Sequence, residues 1–133
     1  MTTFVLDASA VLAWLWQEEG SARVGERLAE NVCLLSSVNL AEIASKALDK
    51  GLPEENLAGL LASLELEVVP YGQDDALETA RLRPSTRRLG LSLGDRACLA
   101  LAKARGAVAV TADRAWLKVN VGVAVECIRG DIQ

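Results

Sequence analysis

The sequence of 133 residues contains no histidine, only three cysteines and no long run of apolar residues. The absence of histidine removes the usual general base, the commonest transition-metal ligand and every Ser-His or Cys-His nucleophile pair. Any hydrolytic chemistry must therefore activate its nucleophile in another way. Carboxylates that hold Mg²⁺ or Mn²⁺ are the natural alternative, because these hard cations prefer oxygen ligands and can generate hydroxide from bound water.

The three cysteines, Cys33, Cys98 and Cys127, lie in apolar segments without CxxC spacing. This odd set argues against a disulfide framework and against a zinc site, so a reducing cytoplasm is the simplest expectation. The longest apolar stretches, such as residues 11–16, are far shorter than the roughly 20 residues needed to cross a bilayer. The N-terminus also lacks the basic start and cleavage site of a signal peptide, and we expect no membrane association.

The length and the hydrophobic content of 51% fit a single domain over residues 1–133. Strand-like apolar runs alternate with helical patterns, which predicts an α/β fold with a mostly parallel sheet and helices on both faces. The predicted strands cover residues 3–7, 32–36, 66–70, 107–111 and 123–128.

Three further segments carry specific predictions. A helix begins at Pro53, with a stripe of leucines at i, i+3, i+4 and i+7 that predicts core packing. Residues 81–90 hold proline, serine and threonine between arginine pairs, and we expect a helix end followed by a loop. A helix over residues 8–17 has apolar side chains around about 200° of its circumference, wider than the roughly 100° of one core face. That wide surface is buried in the monomer, or it contacts a dimer partner or another protein. The leucine stripe consists of Leu57, Leu60, Leu61 and Leu64, and the wide surface of Val11, Leu12, Trp14, Leu15 and Trp16.

Positive charge is concentrated in residues 81–118, although the net charge of the chain is −4. This segment holds nine basic residues and only two acidic ones, Asp95 and Asp113. A phosphate-directed site would have such a distribution. The alternative is an ordinary solvated set of loop and helix charges.

Four acidic residues occupy positions that a metal-dependent nuclease would need. Asp7 and Asp113 follow the first and fourth predicted strands, Glu42 lies early in a predicted helix, and Asp95 opens another. In open α/β sheets, ligands bind outside the carboxyl ends of the strands. If the first and fourth strands are neighbours, Asp7 and Asp113 converge.

Each acid also has a purely structural explanation. Asp7 and Asp113 can cap the helices that follow them, and Ser92–Asp95 has the form of a capping box. Asn39–Glu42 resembles a capping box with asparagine as the cap. Glu42 also lies nearly opposite the predicted apolar face of its helix, so periodicity does not direct it into a cleft. That predicted face consists of Leu40, Ala41, Ala44, Ala47 and Leu48.

The order and context of the acids resemble a known family. Four segments at these spacings are similar to the motifs of PIN-domain ribonucleases, specifically the VapC toxins of bacterial and archaeal toxin–antitoxin pairs. The resemblance spans essentially the whole chain and implies a three-layer α/β/α sandwich whose acids gather at one end of the sheet. The segments are VLDAS (Val5–Ser9), NLAEI (Asn39–Ile43), LSLGDRACLALA (Leu91–Ala102) and TADR (Thr111–Arg114).

The resemblance also implies chemistry and partners. The activity would be divalent-metal-dependent hydrolysis of RNA phosphodiesters, with one or two Mg²⁺ or Mn²⁺ ions held by Asp7, Glu42, Asp95 and Asp113. Ser9 and Thr111 would be polar neighbours that orient carboxylates or waters. Some relatives carry a further acid where this chain has Ala115, so the resemblance does not decide whether a second metal ion binds. A homodimer and a small antitoxin that blocks the acidic pocket complete the expectation.

The RNA backbone would be held by nearby arginines, and we expect Arg87, Arg88, Arg96 and Arg114 to take this role. Two other functions remain as alternatives. One is a non-catalytic PIN-like binding module whose acids cap helices. The other is a receiver-like phosphoacceptor domain, which fits less well because residues 127–129 supply no lysine after the last strand and Asp7 has no acidic neighbour.

Overall fold

The computed structural model describes residues 2–130, which form a five-stranded parallel sheet with the order β3-β2-β1-β4-β5. The strands are β1 (Thr3–Leu6), β2 (Val32–Ser36), β3 (Glu67–Val69), β4 (Val108–Thr111) and β5 (Val125–Cys127). The helices are α1 (Ala8–Leu15), α2 (Ser21–Glu30), α3 (Ser37–Asp49), α4 (Leu57–Ser63), α5 (Gln73–Arg81), α6 (Arg83–Thr86) and α7 (Leu93–Arg105). Short 3₁₀ segments cover Glu54–Asn56, Arg87–Leu89 and Arg114–Lys118.

The strand order places a topological switch point between β1 and β4. The chain passes from β1 through β2 to β3 on one side and then returns to put β4 on the other side of β1. Leu6 pairs with Val110, so Asp7 and Thr111 lie side by side at the carboxyl ends of these strands. A crevice that binds ligands typically opens at such a point.

Helices cover both faces of the sheet because successive strand residues point to opposite sides. Phe4 and Leu6 belong to a core built with α1, α2 and part of α3, while Val5 and Leu34 pack in a second core with α7 and Trp116. The predicted α/β fold with a parallel central sheet between helical layers is confirmed. Among residues 2–130, no helix is both long and apolar enough to span a bilayer.

The leucine helix differs from its prediction. A 3₁₀ segment follows Pro53, and α4 has only seven residues, or about two turns. Leu60 and Leu64 contact the core, but Leu61 is 43% exposed. So short a helix packs only part of its stripe.

Residues 81–90 are largely helical, so the predicted loop is wrong. Pro84 lies in the first turn of α6, where its missing N–H costs no hydrogen bond. The Thr86 hydroxyl donates to the carbonyl oxygen of Leu82 at 2.7 Å, and a 3₁₀ turn then ends at Gly90, whose φ of 68° suits glycine.

The wide apolar surface of α1 lies mostly against its own chain. Val11 and Leu12 are buried, and Trp14, Leu15 and Trp16 are partly buried against the same core. The ammonium group of Lys50 also lies 4.7 Å from the centroid of the Trp16 ring. Burial in the monomer therefore accounts for most of this surface.

Candidate active site

Among the described residues, Asp7 is the most deeply buried acid, with 3% of its surface exposed. It lies between β1 and α1 and caps that helix, because its Oδ1 accepts a hydrogen bond of 2.8 Å from the amide of Ala10. The capping role expected from the sequence is therefore present. Capping does not explain the other hydrogen bonds that this carboxylate receives.

Two hydroxyl groups also donate to Asp7. Ser9 Oγ lies 2.8 Å from Oδ1 and 2.9 Å from Oδ2, and Thr111 Oγ1 lies 2.6 Å from Oδ2. Each hydroxyl in turn accepts from a backbone amide, that of Ala112 for Ser9 and that of Asp113 for Thr111. Because each hydroxyl oxygen accepts from an amide, its single proton is directed to Asp7. The two donors together fix the orientation of the Asp7 carboxylate.

The environment of Asp7 opposes its ionisation. Burial raises the pKa of Asp7 to about 6, the charge of Asp95 adds to that rise, and the hydrogen bonds from Thr111, Ala10 and Ser9 lower it only in part. A bound cation would favour the charged form.

Glu42 is held by a residue of its own helix and by the start of α7. Asn39 Nδ2 donates to Glu42 Oε1 at 2.8 Å and to the carbonyl oxygen of Gly94 at 3.1 Å. A Cβ added to Gly94 would overlap the Glu42 carboxylate, so this close approach requires glycine.

The prediction that Asn39 caps the helix is wrong. Helix α3 is capped by Ser36, and Asn39 lies inside its first turn. The predicted apolar face is right only in part: Ala47 is buried and Leu40 packs against the core, but Ala41 and Leu48 are exposed. Asn39 and Ile43, which the prediction left out, are buried instead. Because the buried face of α3 includes Asn39, Glu42 lies at the border of that face and not on the opposite side of the helix.

Asp95 occupies the predicted capping box at the start of α7. Its Oδ2 accepts from the amide of Ser92 at 2.9 Å, and its own amide donates to the Ser92 hydroxyl at 3.1 Å. Asp95 nevertheless lines the same cavity as Asp7 and Glu42. A cap and a site residue are therefore compatible at this position.

The three acids surround a cavity of about 150 Å³ near the switch point. Its lining also includes Ser9, which the sequence analysis named, and Lys46, which sequence reasoning missed. The available signal was spacing, because Lys46 follows Glu42 by one helical turn.

Asp113 lies beside this cavity rather than in it. Its Oδ1 accepts from the amide of Ala115 at 2.9 Å, as expected for a cap, and its side chain is exposed. It lines a neighbouring, more open cavity of about 470 Å³ together with Ser9, Arg114 and Arg129. Ser9 lines both cavities, so the two cavities adjoin at this residue.

The four predicted RNA-binding arginines have different positions. Arg114 lines the cavity of Asp113, whereas Arg96 donates to the carbonyl oxygen of Thr79 at 3.1 Å and links α7 to α5. Arg87 and Arg88 are exposed on the 3₁₀ segment before α7 and line neither cavity. Arg129 was missed, although it follows β5 as Asp113 follows β4.

The acids of this cavity can be compared with the ligands that a divalent metal requires. Within the described residues, no three acidic or cysteine side chains are grouped tightly enough to enclose an ion by themselves. Mg²⁺ does not need such a cage, because it retains several waters and is usually bound by one or two carboxylates together with substrate phosphates. A buried Asp7, a held Glu42 and Asp95 around one small cavity fit that mode of binding.

A parallel sheet between helical layers, with carboxylates at the carboxyl ends of its strands, defines a class of α/β/α proteins. Comparison of the sequence with protein-family models identifies the family. The PIN domain family model matches residues 4–122, so the chain belongs to the PIN domain family. The prediction of a PIN-domain protein of the VapC type is thereby confirmed. Among curated proteins, no match was found.

Solved structures of toxin–antitoxin systems are similar over nearly the whole chain. A DNA-bound VapBC from Salmonella typhimurium is 26% identical with a TM-score of 0.72, covering 97% of this chain and 100% of that chain. VapBC-5 from Mycobacterium tuberculosis is also 26% identical, with a TM-score of 0.62 and coverage of 98% and 100%. VapC20 from Mycobacterium tuberculosis, a toxin that cleaves the sarcin-ricin loop, is 15% identical with a TM-score of 0.69 over 91% and 98%, and shares the fold.

Proposed function

We propose that this PIN-domain protein is a divalent-metal-dependent endoribonuclease and the toxin of a VapBC-type toxin–antitoxin pair. The observation that carries the proposal is the cavity at the switch point, where Asp7, Glu42 and Asp95 arrive from β1, α3 and α7. Carboxylates that line one cavity repel one another, and a bound cation would offset that repulsion.

Asp7, Glu42 and Asp95 would hold one Mg²⁺ or Mn²⁺ ion, and Asp113 would contribute to a second. When bound, such ions polarise a phosphate oxygen and lower the pKa of a coordinated water. The chain itself orients the ligands. Ser9 and Thr111 fix the Asp7 carboxylate, and Lys46 places a positive charge at the edge of the cavity for a phosphate group.

The substrate side of the proposal rests on the neighbouring cavity. Arg114 and Arg129 line it, and it adjoins the acid cavity through Ser9. A nucleic-acid strand whose scissile phosphate lies at the acids would place an adjacent phosphate near these guanidinium groups. RNA is the proposed substrate because VapC20, which shares the fold, is an RNA-cleaving toxin. Arg87 and Arg88 remain predictions for more distant backbone contacts.

An antitoxin partner is proposed from structural neighbours that include VapBC and FitAB complexes. A homodimer and a cytoplasmic location belong to the same proposal. Co-purification with the product of an adjacent short gene, and loss of RNA cleavage in that complex, tests the partner. If expression of the protein does not impair growth of the host and no short gene lies next to its own, the toxin role would be contradicted.

The alternative function is that of a non-catalytic binding module. It is supported by the helix caps, because Asp7, Asp95 and Asp113 each accept a backbone amide at the start of a helical segment. The substitutions Asp7→Asn and Asp95→Asn separate the two functions, because asparagine can still cap a helix but lacks the charge that binds a hard cation. We expect both variants to fold and to lose metal-dependent RNA cleavage by orders of magnitude. Full cleavage by both, under conditions where EDTA inhibits wild type, would place the metal elsewhere.

A further inference from the structure

Asn39 is fully buried, with 0% of its surface exposed, yet it makes polar contacts to two parts of the site. Its Nδ2 donates to Glu42 Oε1 at 2.8 Å within α3 and to the carbonyl oxygen of Gly94 at 3.1 Å at the start of α7. One side chain therefore connects the glutamate of the acid cavity with the helix that carries Asp95.

The orientation of the Asn39 amide is determined by these neighbours. Both partners are acceptors, so the amide must present its NH₂ group to them, because the flipped amide would set its oxygen against two oxygens. In this orientation Oδ1 is buried and has no hydrogen-bond partner among the residues described. Burial of an unpaired carbonyl opposes folding, so stability alone does not account for asparagine at this position.

Gly94 completes the arrangement from the opposite side. The Glu42 carboxylate lies so close to Gly94 that a Cβ there would overlap it. Glu42 is thus confined between the Asn39 amide and the backbone of α7. A carboxylate on a flexible side chain gains a defined position in this way, which a metal ligand requires.

We infer that Asn39 is a positioning residue, which holds Glu42 at the acid cavity and sets the affinity of the site for a divalent cation. The inference rests on the proposed metal-dependent activity and deepens it. Asn39 has no contact with substrate or metal in this role. It acts through Glu42, because loss of the amide frees the glutamate to adopt other rotamers in solvent.

The test uses Asn39→Leu, which keeps the branching at Cγ and the number of side-chain heavy atoms and removes both the donor and the unpaired oxygen. Mn²⁺ binding to the purified full chain is measured by titration calorimetry without RNA. We expect wild type to bind and the variant to bind 10- to 100-fold more weakly, as for other groups that orient metal ligands. In cleavage assays the half-saturating Mn²⁺ concentration should rise, while kcat at saturating Mn²⁺ and KM for RNA stay near wild type.

Thr86→Val is the matched control, since it removes a buried side-chain hydrogen bond at a residue that lines neither cavity. It should leave Mn²⁺ affinity unchanged. If Asn39→Leu does not fold, Asn39→Ala loses the same donor and serves in its place. A second arm adds the substitution to Glu42→Ala, where it should have no further effect on affinity.

The outcomes distinguish the two levels of the proposal. Wild-type Mn²⁺ affinity in Asn39→Leu, with normal binding by wild type, would overturn the role of Asn39 and leave the metal site standing. A further loss in the Glu42→Ala background would also overturn it, because Asn39 would then not act through Glu42. Absence of Mn²⁺ binding by wild type would overturn the proposed function itself.

Discussion

Thr111 Oγ1 donates a hydrogen bond of 2.6 Å to Asp7 Oδ2 across the switch point of the sheet. The two residues follow neighbouring strands, and the same hydroxyl accepts from the amide of Asp113 at 3.1 Å. A single side chain thereby connects the acid after β1 with the segment that carries the acid after β4. Thr111 therefore helps to set the position of the Asp7 carboxylate relative to the backbone of Asp113.

Substitution of Thr111 by valine should destabilise the metal-free protein most at alkaline pH. Valine keeps the shape but removes the donor that lowers the pKa of Asp7. A hydrogen bond to a charged group contributes roughly 1.5–3 kcal/mol. We expect a loss of this order in the free energy of unfolding at pH 8, and a smaller loss at pH 5, where more Asp7 is protonated. Urea unfolding in EDTA measures it, with Thr79→Val, a buried hydroxyl elsewhere, as the control. Equal losses at both pH values would contradict the link to Asp7 ionisation.

The pH dependence of stability should carry the signature of Asp7. Its pKa is raised from the ordinary value of 3.8 to about 6. A raised pKa means that the folded state holds the proton more tightly, so this stabilisation is complete below about pH 4 and is lost as pH rises through about 6. The loss amounts to about 3 kcal/mol at pH 8.

Comparison of wild type with Asp7→Asn isolates this contribution. In EDTA, the stability of wild type relative to the variant should decline between pH 4 and pH 8. Saturating Mg²⁺ should reduce the decline, because the cation stabilises the carboxylate that high pH produces. A constant difference between the two proteins across this range would refute the assignment.

Gly94→Ala should weaken metal binding without destabilising helix α7. Alanine is favoured over glycine inside a helix by about 1 kcal/mol, and Gly94 has no left-handed conformation that would forbid it. Its Cβ, however, would overlap the Glu42 carboxylate. We expect weaker Mn²⁺ binding and reduced cleavage in a protein that remains folded. Gly59→Ala, in a helix with open space around the added Cβ, is the control and should not change Mn²⁺ binding. Unchanged metal affinity in Gly94→Ala would show that Glu42 can move without consequence.

The positions of Asp7 and Asp113 were predictable from the sequence, because an acid after an apolar strand reaches the carboxyl edge of a parallel sheet. The position of Glu42 was not, because the apolar face of α3 was assigned from leucines and alanines. In the structure that face contains Asn39 as a buried residue, and Leu48 is 40% exposed. Packing against elements distant in the chain, α1 and α7, buries this face, and local periodicity carries no information about those contacts.

Arg129 was overlooked for a related reason. It follows a strand of three residues, and its relation to the site depends on β5 pairing with β4. No local pattern marks that pairing. By contrast, the helical cap of Asp95 was visible in its Ser92–Asp95 motif, because both hydrogen bonds lie within four residues.

Substitution of Arg114 or Arg129 by alanine should weaken RNA binding in a salt-dependent way. Both residues line the cavity beside the acids, where an adjacent phosphate would lie. Release of counterions from a single strand contributes a slope of about 0.7 per phosphate contact to the dependence of log K on log salt. Each variant should therefore lower the slope by about 0.7. The slope is measured by RNA binding at several salt concentrations, with every protein carrying the inactivating Asp7→Asn substitution.

Arg105→Ala, at the far end of α7 and about 15 Å of helix from Asp95, is the control. The ion pair of Arg129 with Glu18, at 3.1 Å, is half-exposed and contributes little to stability, so the variant should stay folded. Slopes equal to that of Arg105→Ala would exclude this cavity from the RNA path.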